Sequence, residues 1–194
     1  MGKDTYRITI TGDPGSGKTT FARNIAARTG YKLITTGNMF RELALKKGIS
    51  VAALNELAET RKEIDHEVDD YIKTLNNSSE SLVLDSRMAW HFLKDAMKIR
   101  LTIDPKVAVE RIFKDEERAA SWNDRFPDME TAMDEVERRR QSEISRYQAL
   151  YGVNIGNDSN FDLVIDTSGK SQEDVVAEFD AAFERYKARA GRAA

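Results

Sequence analysis

The chain has no cysteine among its 194 residues and only two histidines, His66 and His91. Without thiols there is no disulfide framework, no thiolate zinc site and no cysteine nucleophile. The two histidines stand in separate helical stretches, which makes a surface role the better reading than a zinc pair or a catalytic base. An excess of charge of one sign is also lacking. Against 33 acidic residues there are 30 lysines and arginines, so the net charge is −3 although charged residues make up 32% of the chain. That balance argues against a general nucleic-acid or membrane-binding surface, while leaving room for local arginine clusters. No apolar run approaches the length of a membrane span, and the N-terminus leads straight into a β-rich stretch with no leader pattern. No repeat or linker divides the chain. The expectation is one domain over residues 1–194, cytoplasmic and monomeric, with no nucleic-acid or membrane partner.

What is present is organised around Gly12-Asp13-Pro14-Gly15-Ser16-Gly17-Lys18-Thr19. This reads G-x-x-x-x-G-K-[ST], the P-loop, and its flanks fit the motif. Before it, Tyr6–Thr11 alternates as a strand with Ile8 and Ile10 on one face. After it, Phe21, Ala22, Ile25 and Ala26 have helical spacing, and Gly30 supplies a stop. Strand, glycine loop and helix together aim free backbone N–H groups at a phosphate chain. Lys18 is expected to reach the β- and γ-phosphates and Thr19 to ligate Mg²⁺, with Gly12 to Thr20 forming the ATP-binding segment. No N-K-x-D guanine motif follows.

Four more strands are expected at 31–34, 81–85, 99–103 and 161–166. A helical insertion at 38–75 separates the second from the third. Asp104-Pro105 opens a helix with an N-cap acid and proline at N1. Residues 114–128 are polar and read as a mobile lid segment, followed by an arginine-dense helix over about 129–150. Ser171 to Asp174 resembles a capping box before a last helix that buries Val175, Val176, Phe179 and Phe183, with fraying expected from Lys187. The acid-rich run Glu63–Asp70 reads as a solvated helix face, and Trp90 and Trp122 as packing or lid residues. Strands alternating with helices give an α/β fold, a five-stranded parallel sheet with helices on both faces. Reactive groups belong at the carboxyl ends of its strands. Asp85 ends the third strand, near Lys18, where a carboxylate can hold Mg²⁺ through water or orient an acceptor.

Thr36-Gly37-x-x-Phe40-Arg41-Glu42-Leu43-Ala44 and Leu84-Asp85-Ser86-Arg87-Met88-Ala89 resemble segments of the compact, archaeal-like cytidylate kinases. So do Arg139-x-x-Ser142-Glu143-x-x-Arg146-Tyr147, Tyr151-Gly152 and the run Phe161–Ser168. The resemblance covers about Arg7 to Phe183, with Ser86 where that family often has glycine and a longer polar segment at 114–128. It implies the P-loop nucleoside-monophosphate-kinase fold, with a helical acceptor-binding region and an arginine-bearing lid. Thr36 then matches the position that meets the cytosine base.

Two nucleotides bring several negative charges to a protein whose own net charge is negative, so planar guanidinium groups must neutralise them locally. Arg41 and Arg87 are candidates for the acceptor phosphate, together with Thr36 and Asp85 in the acceptor region. Arg111, Arg139 and Arg146 are candidates for the transferring phosphoryl group. Arg139 and Arg146, seven residues apart, share one helix face. Arg138 and Arg140 read as surface residues, and Arg118 and Arg125 are evenly poised. The expected activity is Mg²⁺- and ATP-dependent phosphorylation of CMP and dCMP to the diphosphates. The alternatives are a kinase for AMP, UMP or a small alcohol, and a non-catalytic nucleotide sensor.

Overall fold

A computed structural model describes residues 5–50, 53–54, 57, 62–114 and 128–193. Five parallel strands form its sheet: β1 (Arg7–Gly12), β2 (Lys32–Thr35), β3 (Leu82–Asp85), β4 (Ala96–Thr102) and β5 (Leu163–Asp166), in the order β2-β3-β1-β4-β5. The described helices of four or more residues are α1 (Lys18–Thr29), α2 (Thr36–Lys47), α3 (Lys62–Thr74), α4 (Ala89–Phe92), α5 (Pro105–Lys114), α6 (Met129–Tyr151) and α7 (Gln172–Ala193). None of them is long and apolar enough to cross a membrane.

The apolar runs of the central strands follow from burial on both faces. Val83 joins Ile8, Ile10, Met97, Ile99, Leu101 and Ile165 under α1 and α7, where Phe21, Ile25, Phe179 and Phe183 fill the layer. Leu82 and Leu84, one residue either side, point the opposite way and pack with Ile34, Met39, Val68, Ile72 and Leu93 under α2, α3 and α4. Phe21 and Phe179 are each 1% exposed and meet edge-on at 6.0 Å between ring centroids. Burying each such side chain contributes about 1.5–3 kcal/mol. A satellite cluster of Ala44, Leu54 and Ile64 closes the α2–α3 region, and Val109, Ala132 and Val136 join α5 to α6.

Capping chemistry sets the helix ends. Thr35 Oγ1 accepts from the Asn38 amide at 3.1 Å, so α2 begins at Thr36, two residues before the expected start of the insertion. Ser50 accepts from Ala53, and Asp104 from Lys106, as their side chains suit. Ser171 and Asp174 cap each other's backbone amides at 3.0 and 3.1 Å, and α7 then runs through Lys187 to Ala193 rather than fraying there. Strand β4 starts at Ala96, three residues early, because pairing with β1 extends over Arg7 to Gly12. Arg7 donates to the carbonyls of Leu75, Asn76 and Ser78 at 2.8–3.1 Å, satisfying acceptors left over where α3 passes through a 3-10 turn. Residues 115–127, which hold nearly all of the expected lid with Arg118, Trp122 and Arg125, lie outside the described residues.

Candidate active site

Chain connections leave β1 towards β2 on one side and cross over it from β3 to β4, so a crevice opens at the carboxyl end of β1. The segment that follows is the P-loop. Gly15 and Gly17 have φ of 79° and 80°, a region that L side chains rarely adopt. Helix α1 starts at Lys18 with no side-chain cap and no acid in its first turn. The dipole of α1 thus favours an anion at this end, with no acid of the helix competing for it. Ser16 Oγ is buried and, among the described residues, lacks a hydrogen-bond partner. Such an atom is costly unless a ligand satisfies it.

At the foot of this loop stands Asp85, 4% exposed. Register places it level with Ile10 on β1 and Thr35 on β2. One carboxylate oxygen pairs with Lys18 Nζ, and the other accepts from Thr19 Oγ1 at 2.8 Å. Asp85 caps no helix: Met88 occupies the N-cap of α4, without a side-chain bond. Thr36 Oγ1 donates to the Asp85 carbonyl at 3.3 Å. Two residues on, Arg87 Nη1 donates to the Gly12 carbonyl, and its Nε lies 3.1 Å from Glu143 Oε2 of α6. Arg41, exposed on α2, donates to Asn38 Oδ1. Asp13 and Pro14 line the loop's outer wall, and Thr20 is exposed on α1.

Arg111 lies on the opposite flank of the P-loop from Arg87. Its guanidinium donates to the carbonyls of Thr167 and Ser168 at 2.6 and 3.4 Å, while Thr167 Oγ1 donates to the Ser16 carbonyl at 3.3 Å. A cavity of about 320 Å³ opens there, lined by Ser16, Gly17, Arg111, Thr167, Lys170 and Gln172 among others. Arg146 is exposed on α6, with its guanidinium 4.9 Å over the ring of Tyr147 and Nη2 3.0 Å from that phenol oxygen. Burial pushes the Tyr147 phenol above its usual pKa, with the Arg146 charge opposing it. Arg139 lies in α6, and its side chain falls outside those described.

Three features add to the sequence expectations or depart from them. Arg140 keeps its expected surface position, with its side chain 38% exposed, but also brings Nε to 3.9 Å from Asp13 Oδ1, beside Arg100 at 3.7 Å from the same oxygen. Arg100 is 5% exposed and also bonds Asp158 and the Gly156 carbonyl, so a buried cation on β4 braces the P-loop. Only its place in an otherwise apolar strand hinted at this. Asp69, expected on a solvated face, is 5% exposed and accepts from the Tyr151 hydroxyl. His66 and His91 are exposed, and the buried Trp90 packs on Phe161 at 5.1 Å while donating to the Arg87 carbonyl. No cluster of three or more His, Asp or Glu suited to a metal exists among the described residues. Thr19 Oγ1 and the Asp85 carboxylate, bonded to each other, are oxygen donors that could together meet a divalent ion.

A phosphate loop on β1, a carboxylate at the end of β3 and arginines from separate helices define a P-loop kinase of the nucleoside-monophosphate-kinase fold. Shikimate kinase from Bacteroides thetaiotaomicron shares that fold, with a TM-score of 0.60 at 13% identity over 94% of this chain and 98% of its own. The match to the cytidylate kinase-like family runs over residues 7–169, and the chain belongs to that family. It is 35% identical to a cytidylate kinase of Archaeoglobus fulgidus over 88% of this chain and 90% of that one. Against a cytidylate kinase of Haloquadratum walsbyi the identity is 32%, over 93% and 90%. By fold and family it is a nucleoside monophosphate kinase, a phosphotransferase.

Proposed function

We propose that residues 1–194 act as a single kinase domain in the cytoplasm, transferring the γ-phosphoryl group of Mg·ATP to CMP and dCMP. The observation that carries this reading is the joint between the two half-sites. Arg87, the acceptor candidate, is bonded to the carbonyl of Gly12, the first residue of the donor loop. A phosphate held by Arg87 and Arg41 is thereby brought up against the phosphates held by the P-loop. In phosphoryl transfer, positioning and charge stabilisation are what the protein contributes.

The P-loop fits the donor on its own terms: a start of α1 with no side-chain cap and no acid, a buried Ser16 hydroxyl that lacks a partner among the described residues, and left-handed glycines that keep side chains clear. Lys18 exchanges Asp85 for the β- and γ-phosphates. Thr19 and Asp85 would hold Mg²⁺, which when bound would neutralise charge on the phosphate oxygens. An oxygen of the acceptor phosphate attacks the γ-phosphorus in line as the bond to the bridging oxygen of ADP breaks. Arg111, Arg139 and Arg146 stabilise the charge spread over the moving group, and the 114–128 segment excludes water that would otherwise hydrolyse ATP. The cavity beside Arg111 and Gln172 offers room for the donor's nucleoside.

For the acceptor base, Thr36 carries the argument. Its hydroxyl proton is committed to the Asp85 carbonyl, which leaves lone pairs for a ligand. Those suit the amino group of cytosine, whereas the carbonyl of uracil would set two acceptors face to face. Mismatched buried polar groups discriminate strongly. The expected order of kcat/KM under saturating Mg·ATP puts CMP and dCMP well ahead of UMP, with AMP and GMP poor because the α2–α3 region is small. A coupled assay over the five decides it. AMP leading the series would overturn the cytidylate assignment and leave the kinase intact; no turnover with any of them would move the reading to another acceptor or to a sensor.

A further inference from the structure

The guanidinium of Arg87 is held on two sides. Nη1 donates to the Gly12 carbonyl, while the Nε edge faces Glu143 Oε2 at 3.1 Å. The backbone that carries it is equally fixed: Thr11 Oγ1 and Trp90 Nε1 both donate to the Arg87 carbonyl, at 3.4 and 3.0 Å. The partner on the Nε side is of another kind. Glu143 belongs to α6, the helix that follows the lid segment, and both side chains of the pair are 26% exposed. They line the wall of a cleft with Thr11, Gly12, Asp13 and Arg140.

A carboxylate and a phosphate offer arginine much the same thing, a pair of anionic oxygens matched to its fork of N–H donors. One turn before Glu143 on the same face, Arg140 approaches Asp13 of the P-loop. Helix α6 thus reaches over the cleft with opposite charges one turn apart, its cation towards the donor loop and its anion towards the acceptor arginine. A phosphate arriving at Arg87 would meet Glu143 as a like charge at the same donors.

Building on the acceptor assignment above, we propose that Glu143 is a built-in stand-in for the acceptor's phosphate: its carboxylate occupies the Nε edge of Arg87 and is exchanged for the monophosphate on binding. The exchange keeps Arg87 aimed and paired, and it frees α6 from the acceptor turn only for a ligand that carries an anionic group. An unphosphorylated nucleoside leaves the pair in place. Competition of this kind filters acceptors by charge as well as by shape.

Glu143→Gln keeps the shape and removes the charge. With the P-loop filled by ADP, CMP and inorganic phosphate are titrated separately into wild type and variant by calorimetry. Removing the competitor should tighten both by roughly two- to fivefold, the span expected of a partly exposed ion pair, with ADP affinity unchanged. The difference should shrink as salt is raised. Weaker or unchanged binding of both probes in a folded variant would overturn the proposal, since Glu143 would then merely orient Arg87. Glu143→Ala serves as the second variant if the first does not fold. Phosphate tightening without any CMP binding would uphold the stand-in while removing the cytidylate reading. Failure of phosphate to bind wild type or variant at this site would remove Arg87 as an anion site, and the proposal with it.

Discussion

Gly15 and Gly17 allow the P-loop geometry to be tested with one methyl group at a time. Both have left-handed backbone, with φ of 79° and 80°. Forcing alanine into that region costs about 1–2 kcal/mol, partly offset by about 0.4–1 kcal/mol from the stiffer unfolded chain. The surroundings differ. A Cβ on Gly15 would lie 2.9 Å from the Cα and carbonyl oxygen of Ala108 and 3.0 Å from its Cβ, and helix α5 backbone cannot swing aside. Among the described residues, a Cβ on Gly17 would meet only Gln172 Nε2, at 3.6 Å. Overpacking adds about 1–3 kcal/mol, so Gly15→Ala should lose ~3 kcal/mol and Gly17→Ala ~1 kcal/mol. For a chain of this size, that corresponds to melting points lowered by about 6–12 °C and about 2–4 °C. Gly17→Ala should nonetheless lose ATP affinity by about tenfold or more, since relief of the strain at φ 80° would shift the loop amides expected to make charge-assisted hydrogen bonds to phosphate. Thermal unfolding without nucleotide gives the first quantity and calorimetric titration with a non-hydrolysable ATP analogue the second. Equal destabilisation of the two variants would refute the packing argument. Full nucleotide affinity in Gly17→Ala would refute the placement of the phosphates.

Lys18→Ala removes a contact used most as charge shifts in the transition state, and turnover should fall about 10²–10³-fold with the circular dichroism spectrum retained; near-normal turnover would take the P-loop out of the mechanism. Arg41→Ala should raise the Kd for CMP and leave that for ATP nearly unchanged, and the opposite pattern in separate titrations would invert the two half-sites. Arg146→Ala and Arg139→Ala should lower kcat more than they raise the acceptor KM, because their contacts are expected to form on closure; equal loss in KM with kcat intact would make them ordinary binding groups.

By itself the sequence determined what depends on local spacing. The loop from Gly12 to Thr19 is legible because its chemistry needs glycines and a Lys-Thr pair at fixed offsets. Strand β3 is legible because burial on both faces demands an unbroken apolar run, and a carboxylate ending that run stands out. Capping residues such as Asp104 and Ser171 act within three or four positions and could be read directly. The tertiary structure decided which distant groups meet. The sheet order β2-β3-β1-β4-β5 sets Asp85 against Lys18, and it brings Arg7 to the end of α3 and Arg100 beside the P-loop. Helical period puts Arg140, Glu143, Tyr147 and Tyr151 near one face of α6 without saying what that face touches. Only packing shows that three of these reach Asp13, Arg87 and Asp69 on three different segments. A charge on a helix reads as solvated until its partner is known, because the cost of burying it is cancelled only by a residue tens of positions away.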